Sequence, residues 1–228
     1  MSKIAVNGCS FTEEGYLAQE HRWSNRIGCH KNLAHGGGSN ERIFYTTIEY
    51  LNKHSPNVVI IGWSSPTRFM LPNKNGSRII ITPTHTFDEN LGGDYTQYSD
   101  FYYRNCHNIY DSFERTLNYM LHIQNYCKSK QIKLLYFNAL LPDIDNKSLL
   151  KYSEDAFMSK ENKDIVTMGI KFNHNKINNL INQLDKSIWI KEFWYSMLEH
   201  CKEFPVEKDG HPDIQGSDHW ATLVADYL

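Results

Sequence analysis

Residues 3–12 read KIAVNGCSFT, and the stretch changes character halfway along. Ile4 to Val6, with Lys3 ahead of them, have the apolar run of a short buried β-strand. Gly8, Cys9, Ser10, Phe11 and Thr12 then break the run just before a helix-like segment begins. A strand that turns directly into a helix opens a βα unit, and it places Ser10 at the C-terminal edge of whatever sheet the strand joins. Such a turn surrounds the hydroxyl with backbone N–H groups that have no helical acceptor, the arrangement that holds a developing oxyanion. The plainer reading of Ser10 or Thr12 is an N-cap.

Working outward, short apolar runs alternate with amphipathic stretches. YLAQEHRWSNRIG predicts a helix ending near Gly28, where a C-terminal glycine belongs. KNLAH predicts a short second strand running into GGGSN. From Asn40, NERIFYTTIEYLNKH repeats apolar residues at helical spacing, with Asn40 or Ser39 as cap. NVVIIGW is apolar on both faces, as parallel strands are. RNCHNIYDSFERTLNYMLHIQNYCKSK predicts one long helix, IKLLYFNALL a buried strand, KSIWI a fifth strand and IQGSDHWATLVADYL a closing helix. The rhythm is that of a parallel sheet with helices on both faces, in one domain spanning 1–228. Residues 64–104, with a hairpin expected around SRIIITPTHTF, and residues 143–173 do not fit it. They read as insertions at the ligand-binding edge of the sheet.

Composition narrows the function classes. A net charge of −2 and a pI near 6.6 give no field to attract nucleic acid or anionic lipid. The five cysteines are scattered and never form a CxxC pair, so reduced thiols are expected rather than disulfides or a zinc site. No basic start followed by an apolar run opens the chain, and the longest apolar runs are too short to span a bilayer. A cytoplasmic, soluble protein is expected. Abundant Asn, Lys and Ile hint at an AT-rich genome such as a virus, which would make the protein virion-associated.

A serine becomes a nucleophile only when a base takes its proton, so a histidine is required. Of the eleven histidines, His211 in KDGHPDIQGSDHWA stands out. Asp209 precedes it by two residues and Pro212 stiffens the turn behind it, a pattern that orients an imidazole or forms an ordinary polar turn. His219, on the following helix, reads as a partly buried structural residue. GGGSN lacks the spacing and lysine of a phosphate loop. Cys9 adjoins Ser10 but should point toward the core. Cys106–His107 and His200–Cys201 have no second ligand pair, so no metal site is expected. The aromatic run YTQYSDFYY (95–103) offers either a surface for sugar rings or a packed loop. Arg68, just after the third strand, is placed to bind an anionic substrate group or to form a surface salt bridge.

In this order and placement, GCSFT and DGHP resemble the motifs of the SGNH (GDSL-type) hydrolase superfamily. Gly8, Ser10, Phe11 and Thr12 match its first motif, with Cys9 in place of the usual Asp. NLAHGGGSN fits its second, with Gly37 the best candidate for the oxyanion-hole glycine and Gly38 next. Its third, Gly-x-Asn-Asp, is matched at Gly62, and Ser64 occupies the position of the asparagine. Asp209 and His211 fall where the family places its acid and base, one residue closer together than usual, with Glu207 and Asp213 as other candidate acids. Gly216 and Ala221 match the opening of the family's final helix.

The resemblance implies a three-layer, flavodoxin-like α/β/α sandwich with five parallel strands. It also implies a Ser–His–Asp triad of Ser10, His211 and Asp209 acting on acyl or acetyl esters, including those of carbohydrates. The expected oxyanion donors are Ser10, Gly37 and Ser64, with Asn40 and Arg68 as substrate-binding groups. No cofactor is needed, and the expected partner is a small-molecule or carbohydrate ester. Loss of one oxyanion donor typically costs about 10²–10³ in kcat, so the serine at position 64 implies slow or altered catalysis. The same scaffold also serves a non-catalytic structural or carbohydrate-binding protein, or an acyltransferase.

Overall fold

The structure, a computed structural model, describes residues 3–72, 78–81, 94–140, 174–193, 195–207 and 210–228. The opening stretch forms strand β1 (Ile4–Asn7) and the single-turn helix α1 (Ser10–Glu13). Next come α2 (Trp23–Arg26), β2 (Lys31–Asn32), α3 (Asn40–Lys53) and β3 (Val58–Trp63). A hairpin of β4 (Phe69–Pro72) and β5 (Arg78–Ile81) leads to α4 (Asp94–Asn105), α5 (Ile109–Ser129) and β6 (Lys133–Asn138). After the second insertion come α6 (His174–Gln183), α7 (Met197–Cys201) and α8 (Ile214–Ala225).

The main sheet has the order β2-β1-β3-β6, parallel throughout, with Val6 opposite Ile60 and Ile60 opposite Leu135. Side-chain alternation divides the core between its two faces. Val59, Ile61 and Trp63 of β3 join Ile43 and Leu51 of α3 and Phe113, Leu117 and Met120 of α5 on one face. Val58 and Ile60 join Trp23, Met197, Trp220 and Val224 on the other. Each such aliphatic side chain, fully buried, stabilises the fold by about 1.5–3 kcal/mol. The result is the expected layered α/β arrangement.

Three expectations are corrected. KSIWI is not a fifth strand: Lys186–Ile188 form a 3₁₀ turn, and the fifth position is held only by isolated parallel bridges, Tyr136 to Trp189 and Asn138 to Ser196. Among the described residues the sheet therefore has four strands. The helix expected over 16–28 is broken into a 3₁₀ turn, Gln19–His21, and the single turn α2. The cause is Glu14, which closes α1 in the left-handed region (φ 47°) and turns its side chain inward to accept the Trp23 N–H at 2.6 Å. The helix expected over 104–130 is interrupted before Ile109, because the Asn108 side chain accepts the Tyr110 and Asp111 amides and caps a new helix. Ser39 caps α3 through the Arg42 amide, and the hairpin in the first insertion is present. Residues 143–173 lie outside the described residues.

Candidate active site

β1 ends at Asn7, whose buried carboxamide fixes the turn that follows. Its Nδ2 donates to the Ile43 carbonyl and the Thr46 and Thr47 hydroxyls at 2.8–3.0 Å, and its Oδ1 accepts the Gly8 amide at 2.8 Å. Gly8 and Gly62 are glycines because Thr12 packs between them. A Cβ on Gly8 would lie 2.2 Å from Thr12 Oγ1, and one on Gly62 would lie 2.7 Å from the same atom. The turn then enters α1, where Thr12 and Glu13 both donate to the Cys9 carbonyl. The Ser10 and Phe11 amides precede any helical acceptor.

The decisive distance joins the two ends of this chain. His211 Nε2 lies 2.7 Å from Ser10 Oγ, across 201 positions of sequence. The imidazole is held between two rings, with centroids 4.8 Å from both Phe11 and Tyr16. Its Nδ1 is shut off from solvent. Its backbone is tied to the preceding segment, where Glu207 N–H donates to the His211 carbonyl at 2.8 Å and Val206 bridges Pro212. Asp209 lies outside the described residues. Asp213, an alternative acid, is engaged elsewhere, accepting the Gly216 amide at 2.9 Å as the N-cap of α8.

The glycine loop after β2 packs against the serine turn. A Cβ on Gly38 would meet the Gly8 carbonyl at 3.1 Å and the Cys9 Cα at 3.5 Å, and the Gly38 amide is engaged by His35 at 2.9 Å. Gly37 adopts φ 71°, a conformation that suits glycine.

Two expected site residues have other duties. Ser64 is fully buried, and its hydroxyl has no exposure to solvent and no hydrogen-bond partner among the described residues. Asn40 is buried and reads the Ser64 backbone from both ends, its Oδ1 accepting the Ser64 amide at 2.7 Å and its Nδ2 donating to the Ser64 carbonyl at 2.8 Å. Its carboxamide is thus a brace between α3 and the end of β3. Arg68 is half-buried and donates through Nη1 to the Gly38 carbonyl at 3.5 Å. Cys9 is buried in the core, as its expected orientation requires. His219 pairs with His200 at 2.7 Å, and His200 in turn meets the Tyr195 hydroxyl at 2.7 Å.

Sequence reasoning missed Glu14. Its carboxyl is buried under α1, and desolvation pushes its pKa up to about 8. Glu14 is one of two adjacent acids, Glu13 and Glu14, and nothing in the sequence says which of the pair turns inward. Tyr16 was missed because contact with His211 depends entirely on tertiary placement.

Among the described residues, no three histidines, cysteines or acids gather as a metal site, and no helix is long and apolar enough to cross a membrane. No family model and no curated protein matches the chain in sequence. Solved structures do match in shape. The psychrotrophic esterase EstA from Pseudoalteromonas sp. superposes with a TM-score of 0.52 at 10% identity, covering 100% of this chain and 96% of that one. TesA gives 0.51 at 10% identity over 99% and 97% of the two chains. A GDSL-like lipase from Bacteroides thetaiotaomicron gives 0.50 at 12% identity over 99% and 86%. The fold is that of the SGNH hydrolases. The departures of this SGNH-fold chain from its neighbours are therefore in sequence, with the layered scaffold kept. Nothing in these comparisons supports the viral association that the composition suggests.

Proposed function

We propose that the protein is a serine ester hydrolase, and the observation that carries this reading is the 2.7 Å contact between Ser10 Oγ and His211 Nε2. Ser10 Oγ attacks the acyl carbon while His211 Nε2 takes the hydroxyl proton, forming a tetrahedral intermediate. His211 then passes that proton to the departing alkoxide, leaving an acyl-serine. A water molecule, deprotonated by the same nitrogen, hydrolyses it. The Ser10 amide at the start of α1 and the Gly37 amide are the proposed oxyanion donors. Asp209 is the proposed acid that holds the imidazole. The three solved structures named above share the scaffold and carry esterase or lipase names or, for TesA, its own, which accords with ester chemistry.

With Ser64 closed off, the oxyanion is left to backbone donors. The proposed enzyme is consequently a slow one, and small acyl groups such as acetyl are its expected substrates. The test is hydrolysis of p-nitrophenyl acetate by the wild-type chain and by Ser10→Ala. In a subtilisin-type triad, loss of the serine costs about 10⁶ in kcat, so the variant should lose nearly all of the wild-type turnover. Equal rates from the two proteins would overturn the assignment. EstA is inhibited by monoethylphosphonate. A serine-directed phosphonate should add to this chain at Ser10, and mass spectrometry locating the adduct elsewhere would reassign the nucleophile.

A further inference from the structure

A cleft of about 260 Å³ opens between the first turn of α3, the first half of α5 and the segment leaving β3. Asn40, Glu41, Pro66, Arg68, Arg115 and Tyr119 are among the residues that line it. Most of that space is open to solvent, and about 20 Å³ of it admits a water-sized sphere, room for one small polar group.

The charges in the cleft are unequally matched. Arg115 is ion-paired to Asp111 at 3.0 Å and donates to the Ser112 hydroxyl at 3.2 Å. Glu41 has an interaction of its own. Among the described residues Arg68 has no carboxylate within ion-pair distance, and its guanidinium makes one hydrogen bond, the long one to Gly38. A guanidinium carries five N–H donors, and the described residues engage one of them.

The arginine is also held in position. Its own amide donates to the Ser65 carbonyl at 3.2 Å, and the Ser65 and Thr67 hydroxyls meet at 2.7 Å. The Tyr103 hydroxyl donates to the Thr67 carbonyl at 2.8 Å, tying the turn to α4. A side chain rising from a fixed turn loses less freedom on binding than one on a mobile loop. It also stands close to the chemistry. Arg68 touches Gly38, and Gly38 lies against Gly8 and Cys9, the residues immediately before Ser10.

We propose that Arg68 is the anion-recognising residue of the substrate site, so that the preferred ester carries a carboxylate or another small anionic group beside its acyl or alcohol portion. This rests on the ester hydrolase reading above. Arg115 flanks the same cleft and adds a second cation, its own charge shared with Asp111. A planar carboxylate matches the fork of a guanidinium in two parallel hydrogen bonds, which a neutral amide of the same shape does not.

The experiment compares two pairs of esters matched in size. p-Nitrophenyl hemisuccinate and p-nitrophenyl 4-methylpentanoate differ in charge on the acyl side, and 4-acetoxybenzoate and 4-acetoxybenzamide differ on the alcohol side, spontaneous hydrolysis being subtracted for each. The wild-type chain should favour the charged member of one pair in kcat/KM by about 10-fold or more, the range of a charge-assisted hydrogen bond to one partner. Arg68→Gln should bring that ratio close to one, and Arg68→Lys should retain part of it. Circular dichroism and thermal melting of both variants establish that they fold. Hydrolysis of all four esters with no charge preference, or a preference that survives in Arg68→Gln, would overturn the subsite while leaving the hydrolase reading intact. Hydrolysis of none would instead overturn the reading on which it rests. If Arg68→Gln fails to fold, saturable binding of succinate to Ser10→Ala, weakened about 3-fold or more in Ser10→Ala/Arg68→Lys, decides the matter, and its absence counts against the proposal.

Discussion

Glu14→Gln tests whether the carboxyl beneath the nucleophile turn is held neutral by the fold. The wild-type carboxyl is buried, accepts the Trp23 amide through Oε2, and its pKa is raised from 4.5 to about 8, chiefly by desolvation. Between those two values the folded chain binds one proton more than the unfolded chain. Its contribution to stability is therefore complete below about pH 4.5, declines as pH rises, and is gone above about pH 8. The slope is about 1.4 kcal/mol per pH unit, so the whole window is worth at most about 5 kcal/mol. Glutamine keeps the shape and the acceptor for Trp23 but cannot ionise. Urea unfolding followed by tryptophan fluorescence, repeated at steps across that window, should give nearly equal stabilities at the acid end. The variant should be increasingly the more stable of the two as pH rises. Trp23 reports directly, since its backbone is bonded to the substituted side chain and its indole N–H donates to the Phe11 carbonyl at 2.9 Å. Wild-type and variant curves that stay parallel across the window would refute the reasoning, because a normally titrating carboxyl leaves no such divergence.

Two further substitutions probe the frame of the site. Asn40→Ala strips both partners from the buried Ser64 backbone, and each orphaned group costs about 1–3 kcal/mol. Chemical denaturation should show a loss of that order, with hydrolysis of p-nitrophenyl acetate falling as the end of β3 loosens; an unchanged unfolding midpoint would show that the brace is dispensable. Gly62→Ala would bring a methyl to 2.4 Å from Phe137 Cζ and 2.7 Å from Thr12 Oγ1, an overpacking worth about 1–3 kcal/mol. A lower melting temperature with a disproportionate loss of ester turnover is expected, and a fully active, undestabilised variant would contradict the packing described for Thr12.

The parts of the fold that could be read from sequence were those whose stabilisation is local and periodic. β1, β3 and β6 are continuous apolar runs because both faces of the sheet are covered. α3 announced itself through Ser39 and the spacing of Ile43, Thr47 and Leu51, all of which are buried. The helical breaks were hidden for opposite reasons. The Asn108 cap was visible as a residue type, but an asparagine is equally at home on the solvent face of one continuous amphipathic helix, and its residue type alone does not mark a break. The break at Glu14 depends on a side chain turning inward, which no periodicity encodes. Trp189 and Ser196 touch the sheet edge at single bridges, so the fifth position lacks the run of pairs that an apolar stretch predicts.

The site divides along the same line. Ser10 and His211 could be paired because each sits beside a recognisable turn, and the structure brings them to hydrogen-bonding distance. Ser64 was expected as an oxyanion donor because it stands at the asparagine position of the family's third motif, and Asn40 as a substrate-binding group. That both are buried and bonded to each other through the Ser64 backbone depends on depth, a coordinate that order along the chain does not contain. Arg68 was legible as a charge just after the third strand, but not as one on a turn anchored by Tyr103 with no carboxylate partner among the described residues.

The long separation between serine and imidazole also bears on how the protein is made. Ser10 is synthesised 201 positions ahead of His211. The proposed nucleophile and base can therefore meet only after His211 has been added and has docked on the serine turn, so the nascent chain up to that point carries an unpaired hydroxyl.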